Sequence, residues 1–373
     1  MAISIAPYTA DWILAVKAFN QRLAAGGVGA EFRFPESNIP HWLPEIDGRT
    51  IYQRYYLAVD GEQVRGAFIL KHQEFRLRQG SAKIVYYHLP LSEGIVNKSY
   101  SSVGVLMLRS ALKMEPALYC LGMGGFDRPL PSMLKALRWS MCAVPFYFRV
   151  VRPSRFLREV QPVRRTPLRR LLADAGAFSG LGWLAIHALQ TVRSRRPFAD
   201  ATTEPIVNFG DWADALWVRG APQYPLIASR ESRVLNVLYP SGKNFLCYKV
   251  SRGNDLIGWF VALDTQMKDN KYFGNLRIGA IADCLATPEN ARSVIEAART
   301  VLTERGVDLV VANHSHQEWG SAFTSAGFFE GPSNFIFAAS RDLSDRLGPF
   351  PEVQHQIYLM RDRTADHLLE LST

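Results

Sequence analysis

The feature that most restricts how this chain can fold is a change of hydrophobic period that occurs twice along it. Ile84, Val85, Tyr86, Tyr87 and Leu89 form an aromatic and β-branched run that predicts a strand. Val105, Leu106, Leu108, Ala111 and Leu112 then recur at the three-and-four spacing of a helix burying one face. Between them Asn97 to Gly104 reads NKSYSSVG, with hydroxyls, one lysine, one glycine and no acid. A strand entering a helix through such a turn leaves the first-turn N–H groups without carbonyl partners, so the turn can hold an anion such as a phosphate. The same residues also suit an ordinary Ser-capped helix.

The elements around this unit come in a definite order. Asp11 to Leu23 predicts an amphipathic helix, and Ala24 to Arg49 a loop stiffened by proline and carrying Phe32, Phe34 and Trp42. Tyr55 to Leu77 reads as a hairpin turning at Asp60-Gly61. After the helix, which Glu115-Pro116 ends, come a buried strand at Ala117 to Gly125, a proline-started helix at Pro129 to Trp139 and a last strand at Ala143 to Val151. The second half repeats the plan. A helix at Asp211 to Gly220 precedes a hairpin at Phe245 to Leu263, then a strand, turn and helix at Leu276 to Gly306. A strand at Val307 to His316, a helix at Gln317 to Phe329 and a closing strand pair, NFIFAAS and HQIYLMRD, complete it.

Length and charge set the outer bounds. A chain of 373 residues, 48% hydrophobic, can bury two cores. Cys120, Cys142, Cys247 and Cys284 lie in or beside apolar runs without a CxxC pair, and the N-terminus has no basic flank followed by a long apolar run. Both features suggest a cytoplasmic protein with reduced thiols. The net charge of +9 is confined to Arg149 to Arg196, where eleven arginines face only Glu159 and Asp174. Residues 152–200 are therefore read as a basic connector between domains 1–151 and 201–373. Within it, Leu171 to Leu189 is almost wholly apolar, but Asp174, His187 and its glycines argue against a membrane span. A helix buried between domains or a segment lying on anionic lipid both remain open.

The order of elements resembles the GNAT superfamily of N-acyltransferases, in which a turn reading Arg or Gln, two residues, Gly, one residue, Gly or Ala binds the pyrophosphate of acyl-coenzyme A. Here Ser99, Ser102 and Gly104 stand at those positions, and only Gly104 matches. The helix ending in Ala326-Gly327-Phe328 resembles the GNAT helix before the last hairpin. A tandem arrangement, as in the Fem-type transferases, accounts for both halves and implies an α/β fold of two mixed-sheet GNAT-like domains. The resemblance implies acyl-CoA, acetyl-CoA foremost, held by Lys98, Ser99, Tyr100, Ser101, Ser102, Val103 and Gly104, and an amine acceptor such as an amino sugar or a cell-envelope precursor.

The second-half turn differs: Thr287 caps, Pro288 follows and Glu289 puts a carboxylate where a helix N-terminus would otherwise favour an external anion. Donor binding is therefore expected in the first domain. Amine acylation needs a base, oxyanion donors and an acid. Glu93 lies where GNAT enzymes often keep a carboxylate base, with His88 and Tyr119 nearby, and Asp283 occupies the place of Glu93 in the second half. His314, Glu318, Asp362 and Asp366 follow the last strands of the second domain and are expected to line an acceptor pocket. His314-x-His316 lacks a third ligand at diagnostic spacing, so no metal is expected. Two other readings stay open: a Fem-like transferase whose Arg164, Arg165, Arg169 and Arg170 meet tRNA phosphates, and a binding protein without catalysis.

Overall fold

The computed structural model describes residues 3–29, 32–36, 51–161, 166, 171, 175–177, 181–193 and 201–360. In the first half the strands are β1 (Ser4–Pro7), β2 (Tyr52–Asp60), β3 (Gln63–Leu77), β4 (Gly80–Ser92), β5 (Leu118–Met123), β6 (Ser140–Ala143) and β7 (Phe146–Val150). In the second they are β8 (Ala201–Pro205), β9 (Leu226–Ala228), β10 (Leu246–Arg252), β11 (Asp255–Gln266), β12 (Arg277–Ala286), β13 (Leu309–Asn313), β14 (Phe329–Gly331) and β15 (Phe335–Ala339). One mixed sheet has the order β1-β2-β3-β4-β5-β15-β6 and the other β14-β7-β13-β12-β11-β10-β8.

Each sheet is the centre of a compact unit, and the units do not divide where the sequence suggests. The first takes Met1–Ala143 with Asn334–Val353, and the second takes Val144–Ser333 with Gln354 and the described residues after it. Each half thus gives a strand to the other's sheet. β7, expected to close the first sheet, lies between β13 and β14 in the second. β15, expected to close the second, lies between β5 and β6 in the first. FYFRV and FIFAA are equally good strand sequences, so backbone pairing alone does not choose between sheets. Side-chain fit does: Tyr147 stacks on Phe323 at 4.8 Å, and Arg149 donates to the carbonyls of Ala326 and Gly327 at the end of the Gln317–Ser325 helix. Ala338, by contrast, is wholly buried in the core of the first unit.

Helices cover both faces of each sheet. In the first unit Val16, Phe19 and Leu23 of the Ile13–Ala25 helix pack on Leu57, Ala67 and Ile69. On the other face Met107, Leu108 and Ala111 of the Val103–Met114 helix, with Leu134, meet Phe68, Leu70, Val85 and Leu118. Each such side chain contributes about 1.5–3 kcal/mol on full burial. In the second unit the Ala291–Glu304 helix buries Val294, Ile295, Ala298 and Leu302. The opposite face of that sheet, at Val150, Ile278 and Leu309, is covered by Phe156 and Ile186.

Those last two residues belong to the segment expected to connect two domains. Its described helices, Pro153–Glu159 and Leu181–Arg193, are instead a layer of the second unit. The Gln190 side chain accepts from the Val150 N–H at 2.9 Å and donates to the Val150 carbonyl at 3.1 Å. Nor is the apolar helix buried as one reading held, for Leu184 and Leu189 are more than half exposed.

The exchange makes a testable statement about the domain boundary. A fragment of residues 1–151 lacks the strand that pairs with β5 and is expected not to unfold cooperatively in urea, whereas the full chain should. Cooperative unfolding of the fragment would refute the assignment.

Candidate active site

β4 and β5 run parallel but are paired only at Val85–Leu118 and Tyr86–Tyr119. Just past that point β4 bulges. Ala67 of β3 faces Leu91 and Ile69 faces His88, so both Leu89 and Pro90 stand opposite Phe68. The backbone is strained on both arms of the fork, with Leu89 at φ +45° and Met123 of β5 at φ +66°. Four non-glycine residues among those described have positive φ, and two of them are here. Such conformations cost about 1–3 kcal/mol each and persist where the surroundings impose them. Leu89, Pro90, Gly122 and Met123 are part-exposed at the mouth.

From the fork β4 passes through two 3₁₀ turns, Glu93–Ile95 and Lys98–Tyr100, into the Val103–Met114 helix. The turns nest closely: a Cβ on Gly94 would lie 2.5 Å from the Tyr100 carbonyl oxygen. The N–H groups of Tyr100 and Ser101 are donated within the turn, to Asn97 at 3.0 Å and Lys98 at 3.2 Å. They are not the groups that would hold an anion. The first backbone bond of the helix runs from Leu106 N–H to the Ser102 carbonyl, which leaves the amides of Ser102, Val103, Gly104 and Val105 ahead of it. Ser102 makes no side-chain cap bond, so the turn is not a conventional Ser cap. Lys98, Ser99, Ser101 and Ser102 are exposed.

Glu93 is at the base of the turn but is not a solitary carboxylate. Arg22 and Arg65 both grip it, with Nη2–Oε2 and Nη1–Oε1 distances of 3.1 Å. Arg65 also lies 4.2 Å from the Tyr100 ring centroid. Two guanidiniums against one carboxylate leave a surplus positive charge beside the turn. This geometry fits Glu93 to orient the two arginines.

The other expected residues of the first unit come together. Gln53 of β2, Lys71 of β3, Tyr86 of β4 and Tyr119 of β5 stand opposite one another in a row across four strands. Tyr86 stacks on Tyr119 at 5.0 Å, lies 4.8 Å from the His88 ring, and donates its hydroxyl hydrogen to the Leu121 carbonyl at 2.7 Å. Gln73, two residues beyond Lys71, shares its face by strand alternation. Gln53, Lys71, Gln73 and His88 are buried, and none of the four amide atoms of Gln53 and Gln73 has a hydrogen-bond partner. Each such atom costs about 1–3 kcal/mol, so this wall carries unmet hydrogen-bonding capacity. Sequence reasoning missed Gln53, Lys71 and Gln73. The available signal was polar residues at period two inside an otherwise apolar strand.

The second unit has the same fork, but it is filled. β12 and β13 pair in parallel from Ile278–Leu309 to Ala280–Val311, and β12 bulges at Ala282. Beyond that, Tyr224 donates to the Ala286 carbonyl at 3.0 Å and accepts from the Trp319 indole at 2.8 Å, while Tyr358 donates to the Cys284 carbonyl. The His314 ring lies between Trp319 at 5.1 Å and Tyr358 at 4.5 Å. Asp283 is wholly buried, accepting from Arg230 at 3.1 Å and Tyr239 at 2.9 Å. It is therefore a core ion pair, unlike the catalytic carboxylate expected there. His314 is likewise a core residue rather than an acceptor ligand. Glu318 is exposed in the first turn of the Gln317–Ser325 helix, and Asp362 and Asp366 lie outside the described residues. In the second turn Glu289 is held by the Thr287 hydroxyl at 2.6 Å. Thr287 thus serves the carboxylate and not the backbone it was expected to cap.

Nucleophilic cysteine finds no support. Burial pushes Cys247 up to about 11 and Cys142 up to about 12, with Cys120 and Cys284 higher still.

No protein-family model matches the sequence, and no curated protein matches it. Solved structures match the fold. Saccharomyces cerevisiae N-myristoyltransferase with bound myristoyl-CoA aligns with 90% of this chain and 78% of its own, at a TM-score of 0.51 and 12% identity. A GCN5-related N-acetyltransferase from Anabaena variabilis aligns with 90% and 72%, at a TM-score of 0.52 and 7% identity. The chain has the mixed α/β fold of the GNAT N-acyltransferases, built around two sheets.

Two outcomes follow from this geometry. Glu93→Gln is expected to lower stability by about 1–3 kcal/mol in urea unfolding, because both arginines lose a charged acceptor. An unchanged midpoint would overturn its structural role. The second concerns pH. Burial holds His314 far below its usual value and His316 at about 4. Below the unfolded value of about 6.5 the unfolded chain takes up protons that the folded chain refuses, so each group costs up to about 1.4 kcal/mol per pH unit. Stability should therefore be full above pH 6.5 and fall toward pH 4. His316 accepts from the Glu318 N–H as a helix cap at 3.2 Å. His316→Asn, which caps without titrating, should keep stability at pH 7.5 and make the fall shallower.

Proposed function

We propose that this protein is an acyl-coenzyme A dependent N-acyltransferase whose donor binds the fork and turn of the first unit. The observation that carries the reading is the contrast between two copies of one architecture. One fork is strained, part-exposed at its mouth and followed by an acid-free turn with four helix-leading amides. The other is filled by Tyr224, Trp319 and Tyr358 and followed by Glu289. Strain is retained where a site uses it, and a filled fork has no room for a ligand.

The donor supplies an activated thioester, with acetyl the simplest acyl group. In this reading the amides of Ser102 to Val105 and the surplus charge of Arg22 and Arg65 hold the pyrophosphate. The bulge at Leu89 and Pro90 turns the backbone out of the ladder beside the reacting carbonyl, where a preorganised dipole stabilises negative charge best. His88 accepts the ammonium proton and Tyr119 returns one to the departing thiolate. The acceptor is a polar amine, an amino sugar or an envelope precursor, because the buried amides of Gln53 and Gln73 need hydrogen-bonding partners. The acceptor wall is thereby assigned to the first unit, in place of His314 and Glu318.

A panel of acetyl- and longer acyl-coenzyme A in a thermal-shift assay tests the reading. A donor at 100 times its Kd should stabilise wild type by about 2.7 kcal/mol. Ser102→Glu, which puts a carboxylate beside the amides, should abolish that protection while leaving the unliganded melting temperature unchanged. No protection by any donor would favour a binding protein without catalysis. Salt-sensitive tRNA binding that depends on Arg164 and Arg165 would favour a Fem-like transferase.

A further inference from the structure

The Leu181–Arg193 helix is turned the wrong way for a surface helix in water. Its inward side carries Gly182, Ile186 and Gln190, one turn apart. A Cβ on Gly182 would lie 2.5 Å from the Leu157 side chain, Ile186 joins the Val150 core cluster, and Gln190 is hydrogen-bonded to Val150. These contacts fix which side faces out. The outer side presents Leu184, Ala185, Ala188, Leu189 and Val192, with Leu184 56%, Leu189 54% and Val192 86% exposed. Among the described exposed positions only His187 and Thr191 are polar, and Thr191 donates its hydroxyl hydrogen to the His187 carbonyl. An exposed hydrocarbon stripe on a helix whose opposite side is already anchored in the unit is a surface made to be covered.

The charge that flanks the helix in sequence identifies the cover. Arg152 and Arg155 are occupied by buried Asp308, and Arg149 caps a helix, so these three do not contribute. From Arg164 to Arg196 there remain seven arginines against the single acid Asp174. They stand on both sides of the helix in sequence: four between Arg164 and Arg170, and three from Arg193 to Arg196. An apolar stripe flanked by cations complements an apolar layer edged by anions. The helix has 13 residues, about 20 Å in length, against a hydrocarbon core of about 30 Å. Among the described residues no helix is long and apolar enough to cross a membrane.

We propose that this helix lies flat on an anionic lipid surface, with Leu184, Leu189 and Val192 entering the acyl boundary and the flanking arginines meeting phosphate headgroups. The proposal stands apart from the acyl-transfer reading. Cosedimentation of the full chain with vesicles of phosphatidylcholine alone, or with 30% phosphatidylglycerol, tests it. Binding is expected only with phosphatidylglycerol and should weaken at least fivefold between 50 and 500 mM salt. It should fall at least tenfold in the Leu184→Glu, Leu189→Glu double variant, whose melting temperature should match wild type because both side chains face outward. Absence of binding to phosphatidylglycerol vesicles, equal binding to phosphatidylcholine alone, or undiminished binding by the variant would overturn it. So would a lipid-independent dimer that the double substitution dissociates, since a second copy would then be the cover.

Discussion

β5 can part from β4 only because β15 takes up its other edge. A strand whose buried N–H and C=O groups lose one neighbour needs another, and pairing of Phe335–Ala339 with Tyr119–Met123 supplies it. β4 is held in turn along its length by β3. With both arms secured from outside, the sheet can open between them without leaving a ladder of orphaned groups. The site of the first unit thus depends on a strand that the chain delivers more than two hundred residues later.

The second unit repeats the opening and then closes it with side chains. Tyr224 and Tyr358 hydroxyls donate to carbonyls near the end of β12, so aromatic rings take over the hydrogen bonding that a ligand would provide. The Asp283–Arg230 pair adds a charge that is costly to bury alone but is satisfied by Tyr239 as well. Such a core has gained packing and lost accessibility. The first unit has made the opposite exchange, keeping left-handed Leu89 and Met123 and the unsatisfied amides of Gln53 and Gln73. Strain lowers stability, and its concentration at Leu89 and Met123 of one fork sets the two copies apart.

Much of the molecule was legible in one dimension. The hairpin at Asp60-Gly61, the strand before the turn, the helix ended by Glu115 and the matching elements of the second half follow from period, caps and breakers, which act within a few residues. The contrast between an acid-free turn and one holding Glu289 was equally local, because a helix N-terminus reads charge within its first turn. The site itself was legible only in part. His88 and Tyr119 were named, but the row that joins them through Tyr86 to Lys71 and Gln53 exists only through strand register. Glu93 looked like a free base because nothing in its neighbourhood along the chain reveals Arg22, some seventy residues away, as its partner.

Sequence alone determined the elements, their order, their repetition and the sign of the charge in each turn, since all of these arise from contacts between residues close along the chain. Only the tertiary structure decided which sheet receives β7 and which receives β15, which fork is filled, and which side of the Leu181–Arg193 helix faces outward. The physical reason is the same in each case. Backbone hydrogen bonds do not discriminate between strands of similar composition, so the choice falls to the packing of side chains that meet only after the chain has folded.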